Sequence, residues 1–360
     1  MRGGGPVVVA MSGGVDSSLA AALLQDAGRE VVGVTLRFPE PEGPRAEEAS
    51  CCGRGGAADA SAVCARLGIP FYTLDCRAAF EEEVIAPFCR AYVAGRTPNP
   101  CILCNTALKF GLLLNAALAG GAEGVATGHY ARVVRDAAGR PRLAEGVDAE
   151  RDQSYFLYPL APERLERAAF PLGALTKREV RAEAARRGLP VADKPASQDI
   201  CFVGAGGYRP LVWARHPDAA RPGPILDRCG RVLGEHAGLS AYTVGQRRGL
   251  GVAAGEPLYV TALDPGRNAV VVGRREELLV TRLELEGVSW HEAPHEGEAL
   301  MVEARSRHRG ARAPARVTAQ GERAVLEFVR PQPRVAAGQA VVLYRQEIVV
   351  AGGVARPPDG

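Results

Sequence analysis

Lysine is nearly absent from this chain. Of the 44 basic residues among 360, only Lys109, Lys177 and Lys194 are lysines, so arginine serves wherever the two cations are interchangeable. A lysine that persists under this bias marks a place where a compact ammonium does what a guanidinium does not. Asparagine is similarly scarce, at Asn99, Asn105, Asn115 and Asn268, and two of these fall within Thr97 to Asn105. No run of about 18 apolar residues occurs, and Met1 to Pro6 leads straight into an apolar strand without the charged and apolar regions of a signal peptide. The expectation is a cytoplasmic protein with no membrane association. Nine cysteines in a reducing compartment exclude a disulfide framework, so each is a buried thiol, a metal ligand or a reactive group. A formal net charge of +3 is too small to imply a nucleic-acid partner, and any basic surface has to be local. The chain has no internal repeat and no low-complexity tract.

What is present is the composition of a globular protein: 47% hydrophobic and 24% charged residues, in a chain long enough for two or three cores. Val7 to Ala10 reads as a buried strand, Asp16 to Ala27 as a helix with Leu19, Leu23 and Leu24 on one side, and Val31 to Leu36 as a second strand. Helical patterns continue to alternate with short apolar strands (Phe71 to Leu74, Gly124 to Thr127) to about residue 200, the signature of an α/β, doubly wound parallel sheet. After Gly204 the texture changes to Gly and Pro punctuation. From about Val260, β-rich runs follow one another at Leu258 to Ala262, Ala269 to Val272, Leu300 to Ala304, Ala324 to Val329 and Ala340 to Leu343. The expected organisation is a nucleotide-type domain over 1–203, a small central linking domain over 204–277 and a C-terminal β-barrel over 278–360.

Ser12-Gly13-Gly14-Val15-Asp16-Ser17-Ser18 follows the first strand directly and opens a helix. Glycines admit a phosphate close to the backbone, serines add hydroxyls, and a helix N-terminus supplies N–H groups and a positive dipole end. An anion belongs here. No lysine follows as in the Gly-Lys-Ser/Thr nucleotide loop, and the spacing is not that of a dinucleotide fingerprint. The segment resembles the loop of the PP-loop ATP pyrophosphatases, which cleave ATP between the α and β phosphates and adenylate a substrate oxygen. That resemblance implies ATP as substrate, with Mg accompanying the pyrophosphate and Asp16 near it.

The cysteines narrow the acceptor. Thr97-Pro98-Asn99-Pro100-Cys101-Ile102-Leu103-Cys104-Asn105 holds a CxxC in a Pro-Asn loop, followed by Lys109-Phe110 on a helix. Far downstream, Ser197-Gln198-Asp199-Ile200-Cys201-Phe202 presents a third thiol where the α/β part ends. Both loops are expected at one edge of the sheet. One pair and a distant single thiol leave a fourth ligand position open, unlike structural zinc. Cys51, Cys52, Cys64, Cys76, Cys89 and Cys229 lack partners at ligand spacing and read as structural.

With these segments the chain resembles the tRNA-specific 2-thiouridylases over essentially its whole length. Further matching segments are Ala126-Thr127-Gly128-His129-Tyr130, Asp152-Gln153-Ser154-Tyr155-Phe156-Leu157, Phe170-Pro171-Leu172-Gly173 with Lys177, Lys194 with Ser197-Gln198, and Tyr242-Thr243-Val244-Gly245-Gln246-Arg247-Arg248-Gly249. All three lysines fall in or beside them. Arg151 stands where the family usually has lysine and Asp199 where glutamate is common, and both keep the charge.

The resemblance implies ATP held by Ala10, the Ser12 to Ser18 loop, Leu36, Gly128 and His129, and adenylation of the C2 oxygen of the wobble uridine in tRNAs for lysine, glutamate and glutamine. It leaves two sulfur routes open. In one, Cys201 carries a persulfide received from a donor protein and Cys104 resolves it. In the other, Cys101, Cys104 and Cys201 ligate a 4Fe-4S cluster whose fourth iron presents free sulfide. Gln153 and Ser154 are implied at the target base, with Tyr155 among the tRNA contacts. Arg305, Arg307 and Arg309 alternate on what reads as a strand, with Arg312 and Arg316 nearby, and suggest a backbone-contacting stripe; Arg247 and Arg248 are candidate contacts to the anticodon arm. The alternatives are a PP-loop ligase with a small-molecule amine acceptor, which needs no thiol, and a noncatalytic RNA-binding or iron-sulfur protein, which needs no Asp16.

Overall fold

Val7–Ala10 (β1) and Val31–Arg37 (β2) are runs dominated by valine with no polar face, as expected of strands covered on both sides. In the computed structural model, which describes residues 4–39, 54–195, 200–204, 206–252, 254–295 and 297–357, they lie side by side in a parallel sheet. Between them runs helix α1 (Val15–Asp26), and after β2 come α2 (Arg54–Leu67) and β3 (Phe71–Asp75). Helix α3 (Pro100–Ala119) leads to β4 (Gly124–Ala126). An antiparallel hairpin, β5 (Ala131–Arg135) and β6 (Pro141–Glu145), follows, then β7 (Ala168–Ala169) and α4 (Lys177–Arg186). The sheet order is β3-β2-β1-β4-β7, every pair parallel. The chain direction across the sheet therefore reverses at β1 and β4, so the segments leaving these two strands emerge together at the carboxyl edge, where open α/β sheets bind ligands. Val7, Val9, Leu19, Ala20, Val63 and Ala126 form the dry core behind that edge.

Helix α3 is apolar and long enough, by length and composition, to cross a membrane, although no unbroken apolar run of that length occurs in it. Asn105, Thr106, Lys109 and Asn115 interrupt it, while Leu108, Phe110, Leu113 and Leu114 are buried, making it a core helix of this unit. Its middle, Cys104–Leu113, is wound as a wider π helix, a geometry that tends to mark functional positions.

Two compact units are present, and the division is not colinear. The first comprises 1–85, 100–205 and 347–349; the second comprises 86–99, 206–346 and 350–360. The stretch 86–99, read from sequence as part of 1–203, thus belongs to the second unit. There Tyr92, on the helix Ala86–Val93, stacks on Tyr208 with ring centroids 4.0 Å apart. Thr97 N donates to the Ala337 carbonyl at 2.7 Å, and Arg96 pairs with Glu286 at 2.7 Å.

Within the second unit, β8 (Gly223–Leu226), β9 (Val232–His236), β10 (Tyr259–Asp264) and β11 (Ala269–Gly273) make a four-stranded sheet in the order β10-β11-β8-β9. The runs at Leu258 and Ala269 lie in this sheet. The barrel comprises β12 (Leu279–Trp290), β13 (Ala299–Arg305), β14 (Ala313–Gln320), β15 (Arg323–Pro333), β16 (Ala340–Arg345) and β17 (Ile348–Ala355). Their order is β12-β15-β14-β13-β16-β17, closed by β12 against β17 with Leu285 opposite Ala355. Leu285, Ala315, Val317, Leu326, Val341 and Leu343 fill it. Closure leaves no open edge, which is how a small all-β unit avoids pairing with other chains.

The expected arginine stripe is not a strand face. β13 ends at Arg305, and Arg307 and Arg309 lie in the loop before β14, where Gly310 N bonds back to the Arg307 carbonyl at 2.9 Å. The strand stops because the chain turns at Gly310. Arg305 and Arg312 lie over the Tyr344 ring, 4.9 and 4.3 Å from its centroid, and Arg312 also pairs with Glu303. Arg307 and Arg309 are exposed, as are Arg247 and Arg248.

Candidate functional site

The segment leaving β1 turns through Gly13 at φ +71°, where a Cβ would meet the Gly56 carbonyl oxygen at 2.1 Å. Only glycine fits between the turn and α2. Gly14 occupies the N-cap of α1 and offers no side-chain hydrogen bond, so the first turn of the helix is left for an external acceptor. The serines divide their work. Ser17 and Ser18 donate their hydroxyls to the Gly14 carbonyl at 3.2 and 2.8 Å, shaping the turn, while Ser12 Oγ lies 3.2 Å from Ser17 Oγ.

The segment leaving β4 closes on this loop. A Cβ on Gly128 would lie 2.6 Å from Ser17 N and 2.7 Å from the Asp16 carbonyl carbon, so this glycine is required by the approach of two backbones. His129, 8% exposed, shares a 2.7 Å hydrogen bond between its Nδ1 and Thr127 Oγ1 and faces the edge of Phe170. Burial pushes its imidazole well below the ordinary value, with the Lys109 ammonium adding to the effect, so the ring is neutral.

Asp16 is the best-supported carboxylate of the site. Lys177 Nζ donates to its two oxygens at 2.6 and 2.8 Å, and the Tyr130 hydroxyl donates at 2.7 Å. Burial, and then the Asp16 charge, pushes the Tyr130 hydroxyl far above its usual range, so it remains a donor. Lys194 Nζ donates to the Gly13 carbonyl at 3.2 Å and to Asp59 at 2.5 Å. Lys109 lines the adjoining cavity. The three retained lysines are therefore all at or beside this loop, although composition alone assigns none of them a role. Tyr130 carries no sequence signal beyond its place after Gly128-His129.

A cavity of about 310 Å³ opens at this edge, within the usual size range for a small-molecule site. Of the residues expected around ATP, Ala10, Ser12, Asp16, Ser17, Leu36, Gly128 and His129 line it. Gly13, Gly14, Val15 and Ser18 do not line it and form the turn. Cys101, Cys104 and Cys201 line the same cavity, together with Lys109 and Gln153. Cys101 is exposed, and Cys104 and Cys201 are partly so. Asn105, on the turn after Cys104, is buried and donates to the Phe156 carbonyl at 3.2 Å. By contrast, burial pushes the thiols of Cys64 and Cys76 up to about 11, so they stay protonated and unreactive at neutral pH, as their structural reading requires. Cys51, Cys52, Ser197, Gln198 and Asp199 lie outside the described residues.

Two expectations change at this point. Among the described residues no three His, Cys, Asp or Glu side chains come together as a set able to hold a metal, so Cys101, Cys104 and Cys201 share a cavity without fitting a cluster. Cys101 and Cys104 ride one helix and Cys201 a separate loop, and a common cavity does not require the convergence a cluster needs. Of the tRNA contacts expected at Gln153, Ser154 and Tyr155, Gln153 is the one among the residues lining the cavity. Ser154 and Tyr155 are fully buried, and Ser154 donates its hydroxyl to Asp152 at 2.9 Å. Gln153 accepts from Tyr130 N at 3.0 Å and lines the cavity.

The neutral His129 has a measurable consequence. The unfolded chain takes up a proton near 6.5 that the folded imidazole refuses, so its contribution to stability is complete above pH 6.5 and declines as pH falls below it. Between pH 7.5 and 5.5, guanidinium unfolding should show wild type losing about 1.4 kcal/mol more than His129→Gln. Equal losses would mean that His129 titrates normally.

Comparison with known proteins covers nearly the whole chain. A model described as a tRNA methyl transferase HUP domain matches residues 5–205, one described as a tRNA methyl transferase PRC-barrel domain matches 214–274, and one described as an aminomethyltransferase beta-barrel domain matches 280–355. The tRNA-specific 2-thiouridylase MnmA of Chloroflexus aurantiacus is 49% identical over 353 residues, covering 98% of both chains. The protein of the same name from Moorella thermoacetica is 51% identical over 352 residues, covering 96% of this chain and 98% of its own. That from Sorangium cellulosum is 46% identical over 360 residues, covering 97% and 92%.

Proposed function

Since the chain belongs to the family of tRNA-specific 2-thiouridylases, we propose that it replaces the C2 oxygen of the wobble uridine of tRNA with sulfur at the cost of ATP. One observation supports this most directly: the anion-binding loop and the two thiols Cys104 and Cys201 open onto a single cavity. ATP, carried as its magnesium complex, lies with its phosphates against Ser12 to Ser17 and the first turn of α1. Asp16, the one carboxylate among the described residues lining the cavity, stands beside the pyrophosphate, with Lys177 and Tyr130 holding its orientation. The uridine C2 oxygen attacks the α-phosphorus, pyrophosphate leaves, and C2 becomes electrophilic with AMP as its leaving group.

Cys201 carries a persulfide received from a donor protein. Its terminal sulfur attacks C2, and AMP departs with the former C2 oxygen. The Cys104 thiolate then attacks the inner sulfur of Cys201, the S–S bond breaks towards the base, and the products are 2-thiouridine and a Cys104–Cys201 disulfide. A thiol reductant supplies the two electrons that reset the pair. His129, neutral at the cavity wall, orients without adding charge, and Gln153 is positioned for the flipped base. The substrates are the tRNAs for lysine, glutamate and glutamine, and a reaction drawing on ATP and tRNA belongs in the cytoplasm. An amine-acceptor ligase would leave Cys104 and Cys201 without a task.

The test is incubation with unmodified tRNA, ATP and a persulfide-loaded sulfurtransferase, followed by digestion to nucleosides and mass spectrometry. One 2-thiouridine per AMP is expected. AMP without any thionucleoside would move the activity to a different acceptor.

A further inference from the structure

Cys101 has no part in the chemistry above, although it lines the same cavity as Cys104 and Cys201. It stands in the first turn of α3, three residues before Cys104, and the backbone is helical from one to the other. Residues three apart on a helix share a face, with Cβ atoms about 5–6 Å apart. A disulfide needs about 3.5–4.5 Å, so the pair closes with about 1 Å of give. The first turn can supply it, because its N–H groups are not tied into the helix. Those N–H groups, at the positive end of the helix dipole, also favour an attacking thiolate. Exposure separates the three sulfurs: Cys101 is exposed, whereas Cys104 and Cys201 are half-buried. Among the described residues the three thiols do not gather as a metal-binding set. Thiol-disulfide exchange needs no common centre, only that each partner of Cys104 reach it in turn.

We propose that Cys101 is the resetting thiol of the enzyme. After the thionucleoside has formed, the Cys101 thiolate attacks Cys104 Sγ, the Cys104–Cys201 bond breaks, and Cys201 leaves as a thiolate that takes up the proton Cys101 lost. One S–S bond replaces another, so no electron enters or leaves. A dithiol reductant then attacks the exposed Cys101 sulfur and supplies the two electrons and two protons that return Cys101 and Cys104 to thiols, itself ending as a disulfide. The exchange moves the oxidised bond from two half-buried sulfurs to a pair that includes an exposed one, where a reductant reaches it. It also frees Cys201 for the next persulfide before the reductant has acted. The proposal rests on the persulfide reading above.

A single turnover without reductant tests it on the whole protein, with unmodified tRNA, ATP and a persulfide-loaded sulfurtransferase. The reaction is quenched in acid, alkylated, and digested with trypsin under non-reducing conditions for mass spectrometry. Cleavage after Arg96 and Lys109 leaves Cys101 and Cys104 in one peptide. Wild type should yield that peptide closed on itself, lighter by two hydrogens and unalkylated, with Cys201 alkylated. Cys101→Ser, a change at an exposed position, should instead yield a cross-link between Cys104 and Cys201. Its first turnover should persist while steady-state thiolation with a dithiol protein as reductant falls about tenfold. A wild type that stops at the Cys104–Cys201 cross-link with Cys101 alkylated, or a Cys101→Ser enzyme with the wild-type steady-state rate, would overturn the resetting role alone. Thionucleoside formed without a disulfide in either protein would overturn the persulfide route, and AMP without thionucleoside the function itself.

Discussion

Cys201→Ala and Cys104→Ala will each abolish 2-thiouridine formation while leaving tRNA-dependent pyrophosphate release from ATP in place. Both thiols line the cavity that adjoins the loop, yet neither belongs to the turn proposed for the phosphates. Loss of either removes a covalent step and leaves the adenylation geometry intact. A drop of at least about a thousandfold in thiolation is the scale expected when a nucleophile is deleted. Single-turnover assays following pyrophosphate and thionucleoside in the same reaction separate the two steps. Cys101→Ala should stay within a few fold of wild type, because the persulfide route gives Cys101 no bond to make before the thionucleoside forms. If Cys101→Ala is as inactive as the other two, a third thiol is required, and a cluster assembled with all three returns as the sulfur source.

Gly128→Ala is expected to damage the nucleotide half of the site severely. Its Cβ would press on Ser17 N and the Asp16 carbonyl carbon, and neither is the end of a flexible side chain that could turn away. The first turn of α1 has to move, carrying Ser12 to Ser17 and Asp16 off the phosphates. Overpacking of this kind costs about 1–3 kcal/mol of stability. A displacement approaching 1 Å lowers the ATP-dependent step on the order of a hundredfold. Gly255→Ala, where no atom lies within 4 Å of the added carbon, serves as the control. A Gly128→Ala enzyme with wild-type ATP consumption would show that the two segments yield to each other and that the loop is not held as described.

Much of the site is legible in the sequence. A valine strand, a glycine-serine turn and an alanine-leucine helix in succession specify the anion loop, because each signal is local and all agree. The scarcity of lysine points to Lys109, Lys177 and Lys194 without saying what each does. The CxxC and the distant Cys201, expected on one edge of the sheet, lie on one cavity. The strand reading of Arg305 to Arg309 fails because alternation of charge mimics a strand where a turn at Gly310 ends one. The burial of Ser154 and Tyr155 is not visible in their motif.

Sequence by itself determined the parallel α/β unit and the C-terminal barrel, since these follow from periodicity and turn residues within short windows. Tertiary structure alone decided that Tyr130 and Lys177, 114 and 161 residues away, meet on Asp16. It alone decided that 86–99 packs with the second unit. The physical reason is one of range: local pattern fixes what a segment is, whereas which segments touch depends on the packing of cores and the register of strands far apart in the chain.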